Sequence, residues 1–225
     1  MQRKFPTILL RIYFLTFVCA CLGCGTDPTD STQSDNRPSD ENVSVKEERS
    51  SFSADELLAM ADQKLDAAEY EEAIELYTQL AERSPTATKY ALIGDCYWKQ
   101  MKLDEADVYY RKAIKLDPRH CGANHALGRD AVLQKRYQDA IPYLDIANEV
   151  CAGTVLHAQN LRFRAEAFLE LDRLTEADSD LQKLTTDYPD DPNTFYAGIL
   201  VAKKKGDDSL AEQYQAKLNT ISNGK

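Results

Sequence analysis

Five alanines recur along this chain at a near-constant interval: Ala73, Ala106, Ala140, Ala177 and Ala211, separated by 33, 34, 37 and 34 residues. A period of that length points to stacked copies of one small unit rather than to a single globular core. Around each alanine, apolar residues fall at i, i+3, i+4 and i+7, the spacing of amphipathic helices. The segments between them carry turn signals: Met101-Lys102, Lys135-Arg136, Asp172-Arg173 and Gly206-Asp207 inside the units, and Asp117-Pro118 and Tyr188-Pro189 at their ends. A residue before proline avoids the helical region, so the units ending at Pro118 and Pro189 read as pairs of helices closed by a proline-marked stop, while the 121–154 unit has Ala152 in that place. Pro142, inside a helical stretch, is placed early in its helix, where its missing N–H costs little.

The clearest copy spans 87–120 and carries Tyr90, Gly94, Tyr97, Leu103, Ala106, Tyr110, Ala113 and Pro118. In that order of small and large residues it resembles the tetratricopeptide repeat. Further copies are read at about 54–86, 121–154 and 158–191, with a partial or capping copy at 192–222. Domain organisation follows: a leader over 1–23, an acidic, disordered linker over 24–52, and the repeat domain over 53–222. The resemblance implies an all-α fold, a right-handed superhelical solenoid of antiparallel helix pairs whose first helices line a concave groove. Carried over residue by residue, the groove takes Asp95, Trp98, Lys99, His125, Arg129, Arg162 and Glu166, with Leu58, Asp62, Leu65 and Asp66 at its start and Tyr196, Leu200 and Lys203 at its end. Trp98 is read either as a groove residue or as packed on the first copy. Leu58 and Asp62 occupy places where members that clamp a chaperone tail carboxylate need Lys and Asn, which argues against that ligand.

Residues 1–24 are of another kind. Arg3, Lys4 and Arg11 precede an apolar run over 12–22, the layout of a secretory leader and too short to cross a bilayer unaided. The run ends Cys21-Leu22-Gly23-Cys24-Gly25, which resembles the bacterial lipobox, so Cys24 is the expected site of lipidation and Cys21 the second choice. The resemblance implies a bacterial cell-envelope protein held by its lipid, on the periplasmic face of the outer membrane; a retained N-terminal membrane helix and full secretion are the alternatives. The stretch 25–52 has few apolar side chains and reads as a tether.

The chain carries a formal charge of −10 and a pI near 4.9; three positive charges lie in the leader, so a processed chain would stand near −13. That balance excludes a nucleic-acid footprint and favours basic or mixed-charge protein partners. Cys96 reads as a small buried side chain. Cys121 opens one helix and Cys151 follows the antiparallel helix, so an exported chain would bring them close enough for a disulfide, against two free thiols.

No reactive constellation emerges, and no enzyme activity, cofactor or metal is expected. The expected function is that of a non-catalytic scaffold binding envelope proteins or peptides, with oligomeric state open. Two alternatives remain: a metal-handling or enzyme-associated factor built on His120, Cys121 and His125, and a self-associating envelope protein using Leu210, Tyr214 and Leu218 of the last helix. His157 reads as solvated.

Overall fold

The computed structural model describes residues 52–223. The leader, Cys21, Cys24 and nearly all of the linker lie outside the described residues. Within them the chain forms ten helices in five antiparallel pairs: α1 (Ala54–Asp66) with α2 (Tyr70–Arg83), α3 (Ala87–Lys99) with α4 (Leu103–Leu116), α5 (Cys121–Leu133) with α6 (Tyr137–Val150), α7 (His157–Glu170) with α8 (Leu174–Asp187), and α9 (Pro192–Lys205) with α10 (Asp208–Asn223). There is no strand among the described residues.

Local chemistry sets the ends. Ser53 and Glu56 form a reciprocal capping box at α1; Thr86, His120 and Asp191 cap α3, α5 and α9 with their side chains. The turn inside each of the first four pairs contains a residue with positive φ: Ala68, Met101, Lys135 and Asp172, at 56–61°. Each sits where a helix stop of this kind favours glycine, and only the fifth pair uses one, Gly206. The backbone N–H directly after the positive-φ residue, on Glu69, bonds to the carbonyl of Lys64; Lys102, Arg136, Arg173 and Asp207 repeat that bond in the other pairs. Pro142 is the sixth residue of α6, one turn deeper than the sequence suggested, so it removes an interior donor as well. Its side chain is exposed, which spares the core.

What closes each pair is an interlock. Gly94 on α3 faces Tyr110 on α4, and a methyl group added at Gly94 would lie 2.7 Å from the Tyr110 ring. Gly128 meets Leu144, and Gly198 meets Tyr214, in the same way. Ala61 with Tyr77 and Ala165 with Leu181 hold the equivalent places in the remaining pairs, always sixteen residues apart. The alanines that define the period, Ala73, Ala106, Ala140 and Ala177, are fully buried, and Ala211 is buried. Burying apolar surface at about 25 cal/mol per Å² drives this stacking.

Pairs stack on their neighbours through a three-helix contact: α2 on α3, α4 on α5, α6 on α7, α8 on α9. The first helices also pack directly on one another, and the second helices have no comparable packing, so the array bends with α1, α3, α5, α7 and α9 on its inner side. This closing-up is uneven. It is tightest between α7 and α9, weaker between α5 and α7, slight between α3 and α5, and least between α1 and α3.

Cys121 and Cys151 are joined by a disulfide with a Cα–Cα distance of 5.3 Å, tying the open end of the α5–α6 pair. The exposed ion pair of Arg119 with Glu149 crosses the same gap. Cys96 is a free, buried thiol pushed up to about 12 by burial. Cys151 opens the longest connection between pairs, 151–156, two residues longer than the connections on either side, and Val155 in it is 88 % exposed. Replacing both cysteines by alanine is expected to cost about 2–4 kcal/mol. Denaturant unfolding should show it, and reductant should bring the parent down to the variant; a parent indifferent to reductant would contradict a bracing role.

Candidate protein-binding hollow

The inner side of the bend is a wall of five first helices, and the expected groove residues all lie on it. It is not an open row of side chains. Trp98 is half-buried, packed with the α3–α5 core rather than on the first pair, and the Arg129 guanidinium lies 4.0 Å above its ring. Arg129 in turn donates through Nε to Asp130 at 2.9 Å, with side chains only 14 % and 6 % exposed. The positive charge expected there for a partner is therefore already neutralised within α5. Asp95 accepts a hydrogen bond from the Tyr110 hydroxyl at 2.8 Å. Burial pushes its carboxyl above the usual range, while the Tyr110 hydrogen bond and nearby Arg129 pull it back.

His125 departs most from expectation. It is buried, with Nδ1 2.7 Å from the Asn160 Oδ1 on α7. Because α5 and α7 pack directly, the position that would face a ligand instead bridges two walls. Burial drops its pKa to about 4, with Asn160 opposing and Arg129 and Arg162 adding to the fall. Arg162 repeats the theme one pair later: Nε donates to Asn193 on α9 at 3.0 Å, Nη1 to Glu166 at 3.3 Å, and the guanidinium lies 3.8 Å from the Phe163 ring centre. Burial raises the Glu166 carboxyl, offset by Arg162. Lys99 is exposed at the hairpin tip. The exposed surface of the wall is carried by Leu58, Asp62 and Asp66 on α1, Lys99 on α3, Leu133 on α5, Glu170 on α7, and Tyr196 and Lys203 on α9.

Reading the sequence for groove positions missed the residues that seal the wall, Asp130, Asn160 and Asn193. It also missed a repeated bond: the Tyr77 hydroxyl donates to Asp62 at 2.5 Å, as Tyr110 does to Asp95, each fifteen residues apart. That Asp–Tyr spacing, present in two consecutive copies, was the available signal.

The alternative sites dissolve into structure. His120 accepts from the Ala123 N–H at 3.2 Å and its Nε2 lies 3.3 Å from the Thr88 hydroxyl; Cys121 is in the disulfide and His125 is held by Asn160. Among the described residues no three His, Cys, Asp or Glu gather as a metal site. Tyr214 covers Gly198 and Phe195 and Leu218 is buried, so both pack the last helix onto the array, while Leu210 is partly exposed. His157 is buried rather than solvated, hydrogen-bonded to the Tyr188 hydroxyl at 2.7 Å.

With this geometry in place, comparison with known proteins identifies the repeat. Residues 87–120 and 164–191 each match a tetratricopeptide repeat family model. Those two stretches are similar to tetratricopeptide repeats. It is 26 % identical over 152 residues to mouse (Mus musculus) tetratricopeptide repeat protein 21B, a match covering 64 % of this chain and only 11 % of that protein's length. In fold it is similar to MamA from Desulfovibrio magneticus, with a TM-score of 0.65 at 17 % identity, covering 76 % of this chain and 96 % of that one. PilW, described as a widely conserved type IV pilus biogenesis factor, superimposes with a TM-score of 0.65 at 14 % identity, covering 76 % of this chain and 78 % of that one. Tetratricopeptide repeats are in general protein-interaction scaffolds rather than catalytic folds.

The buried His125 gives a pH test. It is neutral in both states well above pH 6.5; between about 6.5 and 4 the unfolded chain takes up a proton that the folded chain refuses. Acid should therefore cost the parent roughly 3 kcal/mol more, between pH 7 and pH 4, than it costs His125→Gln. Parallel pH–stability curves for the two proteins would contradict the buried neutral histidine.

Proposed function

We propose that this protein is a non-catalytic scaffold of the bacterial cell envelope that captures a peptide or partner helix on the inner wall of its repeats. The observation that carries the reading is the bend itself. Four first helices, α3, α5, α7 and α9, pack in succession along one side, the side chains left exposed on the first helices are both apolar and charged, and repeats of this family bind proteins. Interfaces draw on such mixtures, an apolar centre within a polar rim.

The location rests on two features. The leader pattern ending at Cys24 supports cleavage and lipidation at that residue, with Cys21 as second choice, and two or more acyl chains make a stable anchor. The Cys121–Cys151 disulfide supports an oxidising compartment outside the cytoplasm. The outer-membrane periplasmic face is the preferred site, the linker setting the reach of the repeats from the lipid. A role in assembling an envelope complex is the narrower form of this proposal.

Crosslinking in the source membranes followed by capture tests both parts. Leu133→Glu with Tyr196→Ala changes two exposed wall residues, 60 % and 51 % accessible, without touching the core. The expected result is loss of the same partner bands from this variant while circular dichroism stays that of the parent. Bands retained at parental strength would sink the inner wall as the binding surface. Mass spectrometry of the mature chain should begin at a diacylglycerol-bearing Cys24; a chain starting at Met1, or an unmodified N terminus, would sink the anchor.

A further inference from the structure

The two ends of the inner wall differ in charge and in openness. The α1 helix buries Leu57 and Ala61 alone, whereas α5 buries nine of its residues. Between α1 and α3 the first helices pack least, so the side of α1 turned to the hollow stays accessible: Leu58 is 38 % exposed, and Asp62 and Asp66 are exposed beside it. Lys64, the one cation of α1, is held away from this face by Glu69 and Glu72. Opposite, α3 presents Asp95 and the half-buried Trp98. Asp62 and Asp95 hold equivalent places in consecutive pairs, and in each a tyrosine hydroxyl engages Oδ1. A carboxylate has acceptor capacity to spare after one such bond. At the far end the pattern inverts: α9 exposes Lys203 and Tyr196.

We propose that the α1–α3 part of the hollow receives a segment of a partner protein in which lysine or arginine side chains flank an apolar one. The cations lie against Asp62, Asp66 and Asp95, and the apolar side chain lies against Leu58 and the open edge of Trp98. This inference rests on the reading of the inner wall as a protein-binding surface and adds its polarity: the basic segment enters at α1, not at α9. Charge complementarity carries the choice of occupant. An anionic segment would meet the carboxylates of Asp62, Asp66 and Asp95; Lys99 is the exposed cation beside them, and Arg129 is already held by Asp130. The chain's overall charge of −10 steers the same class of partner.

The test titrates the full chain with two synthetic peptides of equal length and identical apolar residues, one bearing lysine and the other glutamate at its polar positions. Trp98, the single tryptophan of the chain, reports binding by its fluorescence. The lysine peptide should bind at least about tenfold tighter than the glutamate peptide, and the preference should shrink in about 0.5 M salt. Asp62→Asn with Asp66→Asn, which preserves the acceptor for Tyr77, should weaken the lysine peptide roughly fivefold, and Lys115→Glu, exposed on the second helix α4, should leave it unchanged. Equal affinity for the two peptides, or indifference to the Asp62→Asn and Asp66→Asn changes, overturns the proposal. Its failure is distinguishable from failure of the broader reading. Capture of the native partner lost in Leu133→Glu with Tyr196→Ala, but untouched in the aspartate variant, keeps the wall and removes its polarity. Lysine-peptide binding through the aspartates with native capture indifferent to the wall variant does the opposite.

Discussion

Each helix pair depends on one contact: a residue with little or no side chain on the first helix, and a large side chain sixteen residues later on the second that fills the space it leaves. Gly94 with Tyr110, Gly128 with Leu144 and Gly198 with Tyr214 are the tightest cases. The small residue brings two backbones together, and the large one is then clamped and buried; Tyr110 and Leu144 have no accessible surface. Interior packing at crystal-like density leaves no slack for an added methyl group there. Everything else builds on a pair so closed: its two outer faces become rigid, the next pair can dock across three helices, and the first helices fall into one wall.

That wall is where function and stability compete. In the middle and C-terminal pairs, polar side chains that a free groove would offer are used to join neighbours, His125 to Asn160 and Arg162 to Asn193. Buried polar groups satisfied in this way fix the relation between helices and are lost to ligands. Among the described residues the N-terminal pair has no preceding helix packed on it, and it keeps its polar and apolar inner face accessible. The bend therefore produces a graded surface, closed and structural toward α9 and open toward α1, from one repeated unit.

The fold was legible because the repeat copies its signals. Ala106 and Ala140 carried the period, Asp117-Pro118 the stop, and Met101-Lys102 the turn, and the helices α3 and α4 break beside those residues. The wall was less legible, since position in a repeat says which way a residue points but not how near the next helix lies. His125 was misplaced for that reason, though α5 itself held a warning. Cys-Gly-Ala-Asn-His-Ala-Leu-Gly-Arg-Asp-Ala-Val-Leu has one acid beside one base and small or apolar residues on every side, the composition of a helix buried all round. Pro142 was misplaced because its exposed side chain lets the helix run on either side of it, which no propensity reveals.

Equilibrium unfolding of Gly94→Ala, followed through Trp98 fluorescence, tests the interlock most directly. Helix propensity alone favours alanine over glycine by about 1 kcal/mol in a helix interior. The interlock demands the reverse, because the new methyl group meets a fully buried tyrosine ring with nowhere to go, and overpacking of this kind costs about 1–3 kcal/mol. A net loss of stability is the predicted result; a variant more stable than the parent would contradict the contact on which the array is built.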